Sequence, residues 1–255
     1  MRLTILGSSG SLAGPSNPAS GYLVEVDHLG VVLDLGPGTL AELQRITDPS
    51  LVHVAFSHLH ADHCLDFPSL MVWRRFHPEA AAAGRSLLYG PSPAPVFFGR
   101  LSANDQPEGI DDMSDTFAFT PWRAHEPQQV ERLTITPYPV VHPVEAYALR
   151  VVENSTGKTL TYSGDSAFTD ELIAAAEGAD IFLCEANWGA QDSSQVPGMH
   201  MNGQEAGMIA ERAGVKRLVL VHVPPWIDPE EAVAAARTQY SGPVEFGLPR
   251  TVYEL

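Results

Sequence analysis

Short segments of alternating apolar and polar residues open the chain and predict β-strands. Residues 2–6 alternate, and residues 21–26 and 31–36 predict a hairpin across the short turn between them. Residues 51–56 form an apolar run broken only by His53, and we interpret this run as a buried strand in which His53 is structural. The first part of the chain is therefore predicted to form a sheet.

Helical patterns follow these strands in the first half. Residues 39–46 and 67–76 are amphipathic and predict helices, and residues 87–91 predict a strand and a turn. Residues 91–130 are rich in Pro, Asp and Glu and have weak periodicity, which predicts a helix, loops and a pocket rim. We interpret His125, in this segment, as a surface or rim residue.

Strands and capped helices alternate in the second half. The predicted strands cover residues 133–143, 147–153, 159–163, 181–184 and 218–221. Helices are predicted to begin at Thr169, Asn202 and Asp228, because these residue types cap helix N-termini. This order predicts the α/β class. We expect one domain over residues 1–255, with two pseudo-halves of about 1–130 and 131–255.

Composition and charge narrow the class of protein. The 255 residues are 44% apolar, include only two cysteines, Cys64 and Cys184, and form no apolar run long enough to span a bilayer. We find no signal peptide and expect a cytoplasmic protein without a membrane partner. The net charge of −16 disfavours extended RNA or DNA, because proteins that bind nucleic acids usually carry a basic surface.

Three histidines and an aspartate are concentrated in one short segment. His58, His60, Asp62 and His63 directly follow the predicted strand at 51–56. His58 and His60 point the same way in extended backbone, and Asp62 and His63 can turn toward the same point where a helix begins. A histidine-rich solvated turn formed by chance is the alternative, but such a turn needs none of these residue types. The segment therefore predicts a metal site.

Further candidate residues lie at or just after other predicted strands. His142, Asp165, Glu185 and His222 each have this position, and the ends of strands are where sites in layered α/β folds tend to lie. Asp34 lies within an apolar strand, where a carboxylate is costly unless it has partners. We expect it to accept hydrogen bonds from residues 58–63 or to orient a ligand imidazole.

The spacing at residues 58–63 resembles the His-x-His-x-Asp-His signature of the metallo-β-lactamase superfamily. The segments around Gly164-Asp165, 179–186, His200 and 213–222 are similar to the RNase Z branch of that superfamily. This branch includes tRNA 3′-end endonucleases and small phosphodiesterases. The resemblance covers nearly the entire chain and implies a four-layer αβ/βα sandwich.

The resemblance also assigns ligands for two divalent metal ions. It implies that one ion is held by His58, His60 and His142, that the other is held by Asp62, His63 and His222, and that Asp165 bridges them. Seven ligands suit two cations better than one tetrahedral zinc. We expect Zn²⁺, with Mn²⁺ or Fe²⁺ as alternatives, because His and Asp ligands accept all three.

By the same resemblance, catalysis is expected to involve Asp62, His200 and Glu185. His200 would assist the phosphate or the leaving group and would be oriented by Glu185, while a metal-bridging hydroxide attacks phosphorus. The RNase Z branch often has Ser and Thr after this histidine, whereas Met201 and Asn202 follow here.

The expected substrate is a small phosphodiester, such as a cyclic nucleotide or cyclic phosphate. The acidic charge and the lack of a long Gly- and Lys-rich insertion disfavour tRNA. The alternatives are an RNase Z-type endonuclease, a metal-dependent acyl hydrolase (lactonase, thioesterase or β-lactamase) and a non-catalytic binding module. Many members of the superfamily are dimers, so a homodimer is a further expectation.

Overall fold

Two seven-stranded sheets form the centre of the computed structural model, which describes residues 1–103, 109–193 and 196–255. The first sheet has the strand order β14-β1-β2-β3-β4-β5-β6. Its strands are β1 (Arg2–Gly7), β2 (Gly21–Val26), β3 (Leu29–Leu33), β4 (His53–Ala55), β5 (Ser86–Gly90), β6 (Phe117–Pro121) and β14 (Val252–Glu254). The last strand of the chain thus pairs antiparallel with the first.

The second sheet contains the middle strands of the chain in the order β13-β12-β11-β10-β9-β8-β7. Its strands are β7 (Gln128–Val130), β8 (Leu133–Pro139), β9 (Tyr147–Glu153), β10 (Thr159–Tyr162), β11 (Ile181–Glu185), β12 (Leu218–Val221) and β13 (Val244–Phe246). Strands β10 to β13 are parallel neighbours. Their carboxyl ends therefore lie at one edge of the sheet, which is where the candidate residues follow them.

Helices cover the outer faces of both sheets. They are α1 (Thr39–Leu43), α2 (Ala61–Cys64), α3 (Phe67–Phe76), α4 (Ala94–Ser102), α5 (Asp170–Ala176), α6 (Gly203–Ala213) and α7 (Pro229–Arg237), with 3₁₀ turns at Pro49–Leu51 and Met113–Asp115. One apolar cluster joins the facing sides of the two sheets, and one lies under the helices on each outer face. The layers are therefore helix, sheet, sheet and helix, which confirms the predicted αβ/βα sandwich.

Several local predictions are confirmed with shifted bounds. The hairpin forms, but β3 begins at Leu29, because Asp27 and His28 both adopt positive φ and make a two-residue turn suited to the twist of the strands. The same strand ends at Leu33, so Asp34, whose positive φ leaves the extended conformation, lies just after the strand rather than within it. Helix α1 ends at Leu43 rather than at residue 46. Thr169, Asn202 and Asp228 cap α5, α6 and α7 as predicted.

The segment 91–130 contains more regular structure than its pattern predicts. Helix α4 was expected there, but β6 and β7 were not. Each of these strands is the edge of its sheet, and the proline and acidic residues that weaken the pattern are typical of edges. Within the described ranges, no helix is long and apolar enough to cross a membrane. A single domain over residues 1–255 stays a prediction.

Candidate metal centre

The loop after β4 and the first turn of α2 place four candidate ligands on the edge of the first sheet. His58 and His60 lie in the loop, and Asp62 and His63 lie in α2, which begins at Ala61. The short helix turns Asp62 and His63 back toward the loop, as expected. His58 and His63 are buried, and their ring centroids are 4.1 Å apart.

The second sheet contributes the other candidates from the ends of its strands. His142 follows β8, Asp165 follows β10 and His222 directly follows β12. Asp165 comes after Gly164, whose φ is +58° and where a Cβ would lie 2.7 Å from the Tyr147 carbonyl oxygen. A glycine is therefore required for the chain to turn at this point.

The seven side chains meet in two groups that share one carboxylate. One group is His58, His60, His142 and Asp165, and the other is Asp62, His63, Asp165 and His222; within each group the ligand atoms lie within 4.8 Å of one another. Each group offers nitrogen and carboxylate oxygen atoms, which divalent metal ions prefer. The two groups are thus suited to two divalent ions.

The shortest contacts join ring nitrogens of different histidines. His60 Nδ1 lies 3.0 Å from His142 Nε2, and His63 Nε2 lies 3.1 Å from His222 Nε2. Among the described residues, the buried atom His58 Nε2 has no hydrogen-bond partner, and Asp165 Oδ1 lies 3.2 Å from His63 Nε2. Buried polar atoms are rarely left without a partner, so a bound cation fits these groups.

Hydrogen bonds at the opposite side of the rings select the nitrogen that faces each group. His58 Nδ1 lies 3.0 Å from Ser57 Oγ, His142 Nδ1 lies 2.9 Å from the Met199 carbonyl oxygen, and His222 Nδ1 lies 3.2 Å from Asn187 Nδ2, an amide whose two ends can be exchanged to present its oxygen. An acceptor at Nδ1 holds the proton there and leaves the Nε2 lone pair free. His60 differs, because its Nδ1 faces the group.

Asp34 is the partner of His63 and performs both expected roles. Its carboxylate accepts hydrogen bonds from His63 Nδ1 at 2.7 Å, Ser57 N at 2.7 Å, Ser57 Oγ at 2.6 Å and Tyr162 OH at 2.8 Å. The residue is fully buried and has a φ of +58°, a left-handed conformation that aspartate tolerates better than most residues. Asp34 therefore fixes both the loop at Ser57 and the ring of His63.

The electrostatics of the cluster follow from burial and from its mixed charges. Burial raises the pKa of Asp165, but the imidazoles of His222, His63 and His58 outweigh it and hold that pKa well below its usual value. Asp62 also has a lowered pKa: burial raises it, whereas His63 and His222 lower it more. Burial lowers the pKa of His58 well below its usual value. These shifts favour ionised carboxylates and a neutral His58, the forms that bind metal ions. Burial lowers the pKa of His63, but Asp165 and Asp62 raise it well above its usual value, so a metal ion would have to displace a proton from this ring.

His200 and Glu185 form a pair beside the two groups. His200 Nδ1 lies 3.0 Å from Glu185 Oε1 and 3.9 Å from Asp165 Oδ2. Glu185 is fully buried and also accepts a hydrogen bond from Ser166 N at 2.7 Å. Burial lowers the pKa of His200, but Glu185 and Asp165 raise it to about 9. The pair is arranged so that Glu185 orients the ring of His200.

Sequence reasoning missed the residues that orient the candidate ligands. Ser57, Asn187, Tyr162 and the Met199 carbonyl group have no pattern that marks them, although Ser57 and Asn187 each lie within two residues of a predicted site residue. The other interpretations agree with the structure. Cys64 is a buried thiol whose pKa burial raises; His53 accepts a hydrogen bond from Leu87 N at 3.0 Å; and His125 is half-exposed.

Comparisons with known proteins agree with this geometry. Residues 30–223 match the family model described as "Beta-lactamase superfamily domain". An uncharacterised protein of Mycobacterium tuberculosis is 48% identical over 247 residues, which cover 96% of this chain and 88% of the relative. A Ribonuclease Z of Halorubrum lacusprofundi is 27% identical over 273 residues and covers 88% of this chain and 86% of its own length.

A protein of Bacillus subtilis matches in both sequence and structure. The probable metallo-hydrolase YhfI is 28% identical over 256 residues, which cover all of both chains. Its crystal structure superimposes with a TM-score of 0.85 at 26% identity over 100% of this chain and 98% of that chain. With the family match over residues 30–223, these findings show that the chain belongs to the metallo-β-lactamase superfamily and has RNase Z-like relatives.

Proposed function

We propose that this protein is a metal-dependent phosphodiesterase that hydrolyses a small phosphodiester, such as a cyclic nucleotide or cyclic phosphate. The observation that carries the proposal is the position of the His200–Glu185 pair, 3.9 Å from Asp165 and so directly beside both groups of candidate ligands. Metal-dependent hydrolysis by itself needs only the ligands. The added imidazole supplies a proton donor for a phosphoryl oxygen or a leaving alkoxide.

The two metal ions would be held by the residues already described. His58, His60 and His142 would hold one ion, Asp62, His63 and His222 would hold the other, and Asp165 would contact both. When bound, such ions polarise a phosphoryl oxygen and lower the pKa of a nearby water molecule. We propose Zn²⁺, with Mn²⁺ or Fe²⁺ as alternatives, because the ligands are nitrogen and oxygen atoms.

The chain's own residues would orient the reaction. Glu185 accepts the Nδ1 proton of His200 at 3.0 Å, which leaves Nε2 as the nitrogen that faces a substrate. Glu185 is in turn fixed by the backbone N–H groups of Ser166 and Asn187, at 2.7 and 3.2 Å. This network would hold His200 in one orientation before the substrate arrives, so less reorganisation is needed during the reaction.

The net charge supports a small substrate over tRNA. A chain with 31 acidic and 15 basic residues repels a long polyanion, whereas two dications can attract a single phosphate locally. Because one relative is a ribonuclease Z, an RNA endonuclease is a second candidate function. An acyl hydrolase is a further candidate, because its reaction would need only the residues that hold the metal ions.

The experiment compares substrate classes with matched variants. Zinc-loaded protein should hydrolyse 3′,5′-cyclic AMP or bis(p-nitrophenyl) phosphate faster than p-nitrophenyl acetate, a lactone or a pre-tRNA. Chelator and Asp165→Ala should abolish all hydrolysis. His200→Ala should lower phosphodiester hydrolysis about 10²- to 10⁴-fold, the usual contribution of a general acid. Ester hydrolysis that exceeds phosphodiester hydrolysis, or that falls equally in His200→Ala, would favour the acyl hydrolase instead.

A further inference from the structure

The segment after β1 lies on His222, although the proposed function gives it no role. His222 N donates to the Ser8 carbonyl oxygen at 2.8 Å, and Gly10 N donates to the Val223 carbonyl oxygen at 3.1 Å. A Cβ on Gly10 would lie 2.3 Å from the His222 carbonyl oxygen. The segment is therefore fixed against the candidate metal centre by backbone contacts that only glycine permits at this point.

Ser11 lies at the centre of a tight turn. Leu12 N donates to the Gly10 carbonyl oxygen at 2.8 Å, so the turn closes over three residues. Ser11 has a φ of +64°, which matches the strained form of the γ-turn. A non-glycine residue in this conformation is strained and persists only when its surroundings hold it there.

The backbone N–H of Ser11 points at the candidate metal centre. Its hydrogen-bond acceptor is His222 Nε2 at 3.4 Å. The same nitrogen lies 3.0 Å from Asp62 Oδ2 and 3.4 Å from Asp165 Oδ2, so it faces the second group of ligands. If His222 Nε2 binds a cation, its lone pair no longer accepts from Ser11, and this N–H is free to donate to another acceptor at the same place.

Asn187 ties the turn to the ring of His222 from the other side. Its amide nitrogen position lies 3.3 Å from Ser11 Oγ and 3.2 Å from His222 Nδ1. Because the two ends of an Asn amide can be exchanged, the amide oxygen at this position would accept from both His222 Nδ1–H and the Ser11 hydroxyl group. One side chain would then set the tautomer of His222 and hold Ser11 in its unusual conformation.

We propose that the Ser11 N–H donates a hydrogen bond to a phosphoryl oxygen of the substrate, from a γ-turn held in place by Asn187. The inference rests on the proposed phosphodiesterase function. A backbone donor held by its own turn needs no side-chain ordering when the substrate binds, so it stabilises the bound phosphate at little entropic cost. The Ser11 N–H would also contact the phosphate without the help of a lysine or arginine side chain, in a chain that is strongly acidic.

The direct test is NMR spectroscopy of zinc-loaded protein labelled with ¹⁵N-serine, titrated with adenosine 5′-monophosphate as a product analogue. We expect the Ser11 amide proton to shift downfield on saturation and to show a ¹⁵N–³¹P coupling through the hydrogen bond. Ser16, in the same loop, is the internal control and should show neither change. If the nucleotide binds but the Ser11 amide behaves like that of Ser16, the inference is wrong and the proposed function stands.

A pair of variants tests the turn through binding affinity. Ser11→Gly permits a positive φ and retains the N–H, whereas Ser11→Val opposes this conformation. With zinc content measured and equal in both, we expect Ser11→Val to bind adenosine 5′-monophosphate at least about tenfold more weakly than Ser11→Gly, the effect of losing one hydrogen bond to a charged group. Equal affinities would overturn the inference. If zinc-loaded wild-type protein binds neither this nucleotide nor inorganic phosphate, the proposed function and the inference both fail.

Discussion

Replacing Asp34 by asparagine should weaken metal binding although none of the seven candidate ligands is replaced. Asparagine has nearly the same shape and also tolerates the φ of +58° seen at this position. The backbone strain is therefore unchanged, and the effect of the substitution comes from hydrogen bonding alone.

The hydrogen bonds of Asp34 show why an amide cannot replace the carboxylate. Oδ1 accepts from Ser57 N, and Oδ2 accepts from His63 Nδ1 and the hydroxyl groups of Ser57 and Tyr162. The two hydroxyl groups can rotate and accept from an NH₂ group instead. The backbone N–H of Ser57 cannot. An amide therefore leaves either Ser57 N–H or His63 Nδ1–H facing another donor, whichever way it is turned.

The size of the effect follows from this mismatch. One buried donor without an acceptor costs about 1–3 kcal/mol, and the remaining bonds lose the strengthening from a charged acceptor. We expect Asp34→Asn to lower the free energy of unfolding of the metal-free protein by about 2–4 kcal/mol. If the proton of His63 moves to Nε2 to relieve the mismatch, the ligand lone pair is lost, and zinc affinity should fall about 10- to 100-fold.

Two measurements check this prediction. Urea denaturation of the metal-free protein gives the free energy of unfolding, and competition with a chromophoric chelator gives the zinc affinity. Asp170→Asn, an exposed residue in the first turn of α5, is the control for exchanging a carboxylate for an amide and should change neither value appreciably. An Asp34→Asn protein with wild-type zinc affinity and wild-type stability would refute the role assigned to Asp34.

Three further predictions concern stability. Arg74 is buried and donates to the carbonyl oxygens of residues 50, 84 and 116 at 2.6–3.1 Å. Arg74→Lys should therefore lower the free energy of unfolding by about 3 kcal/mol in urea denaturation, whereas Arg45→Lys, at an exposed position, should lower it little. Equal losses of stability in the two variants would contradict this prediction. Burial raises the pKa of Asp180, but Lys216 and other donors lower it more. The contribution of the Asp180 carboxylate to stability is therefore present above pH ~4 and lost at lower pH. The difference in unfolding free energy between wild type and Asp180→Asn should shrink from about pH 7 to about pH 3, and a constant difference would refute this prediction. Zinc at about 100 times its dissociation constant should stabilise the wild type by about 2.7 kcal/mol per site and should stabilise Asp165→Ala by less. Thermal unfolding measures both values, and equal stabilisation would contradict the proposed ligands.

The parts of the fold that the sequence predicted are those determined by local pattern. Helix α3 has the predicted bounds of 67–76, and the caps at Thr169 and Asn202 are read from residue type and spacing alone. Strands β6 and β7 were missed because an edge strand forms where a neighbour offers a ladder of hydrogen bonds. That neighbour is set by the three-dimensional fold rather than by the strand's own residues.

The residues of the candidate site also fall into two sets, those that the sequence marks and those that only contacts between distant parts of the chain bring into place. The candidate ligands could be selected from the sequence, because their residue types are rare together and they lie after strands, so their positions along the chain carry the signal. The groups that orient them could not, since a serine, an asparagine and a backbone carbonyl oxygen are common everywhere. Asn187 and Ser11 are 176 residues apart in the chain, and only the packing of the loop after β1 against the end of β12 brings both to His222. Because an acceptor at Nδ1 decides which nitrogen of an imidazole faces the metal, the chemistry of this centre depends on residues that sequence patterns do not mark, and substitutions at Asn187 and Ser57 are the most direct way to measure their contribution.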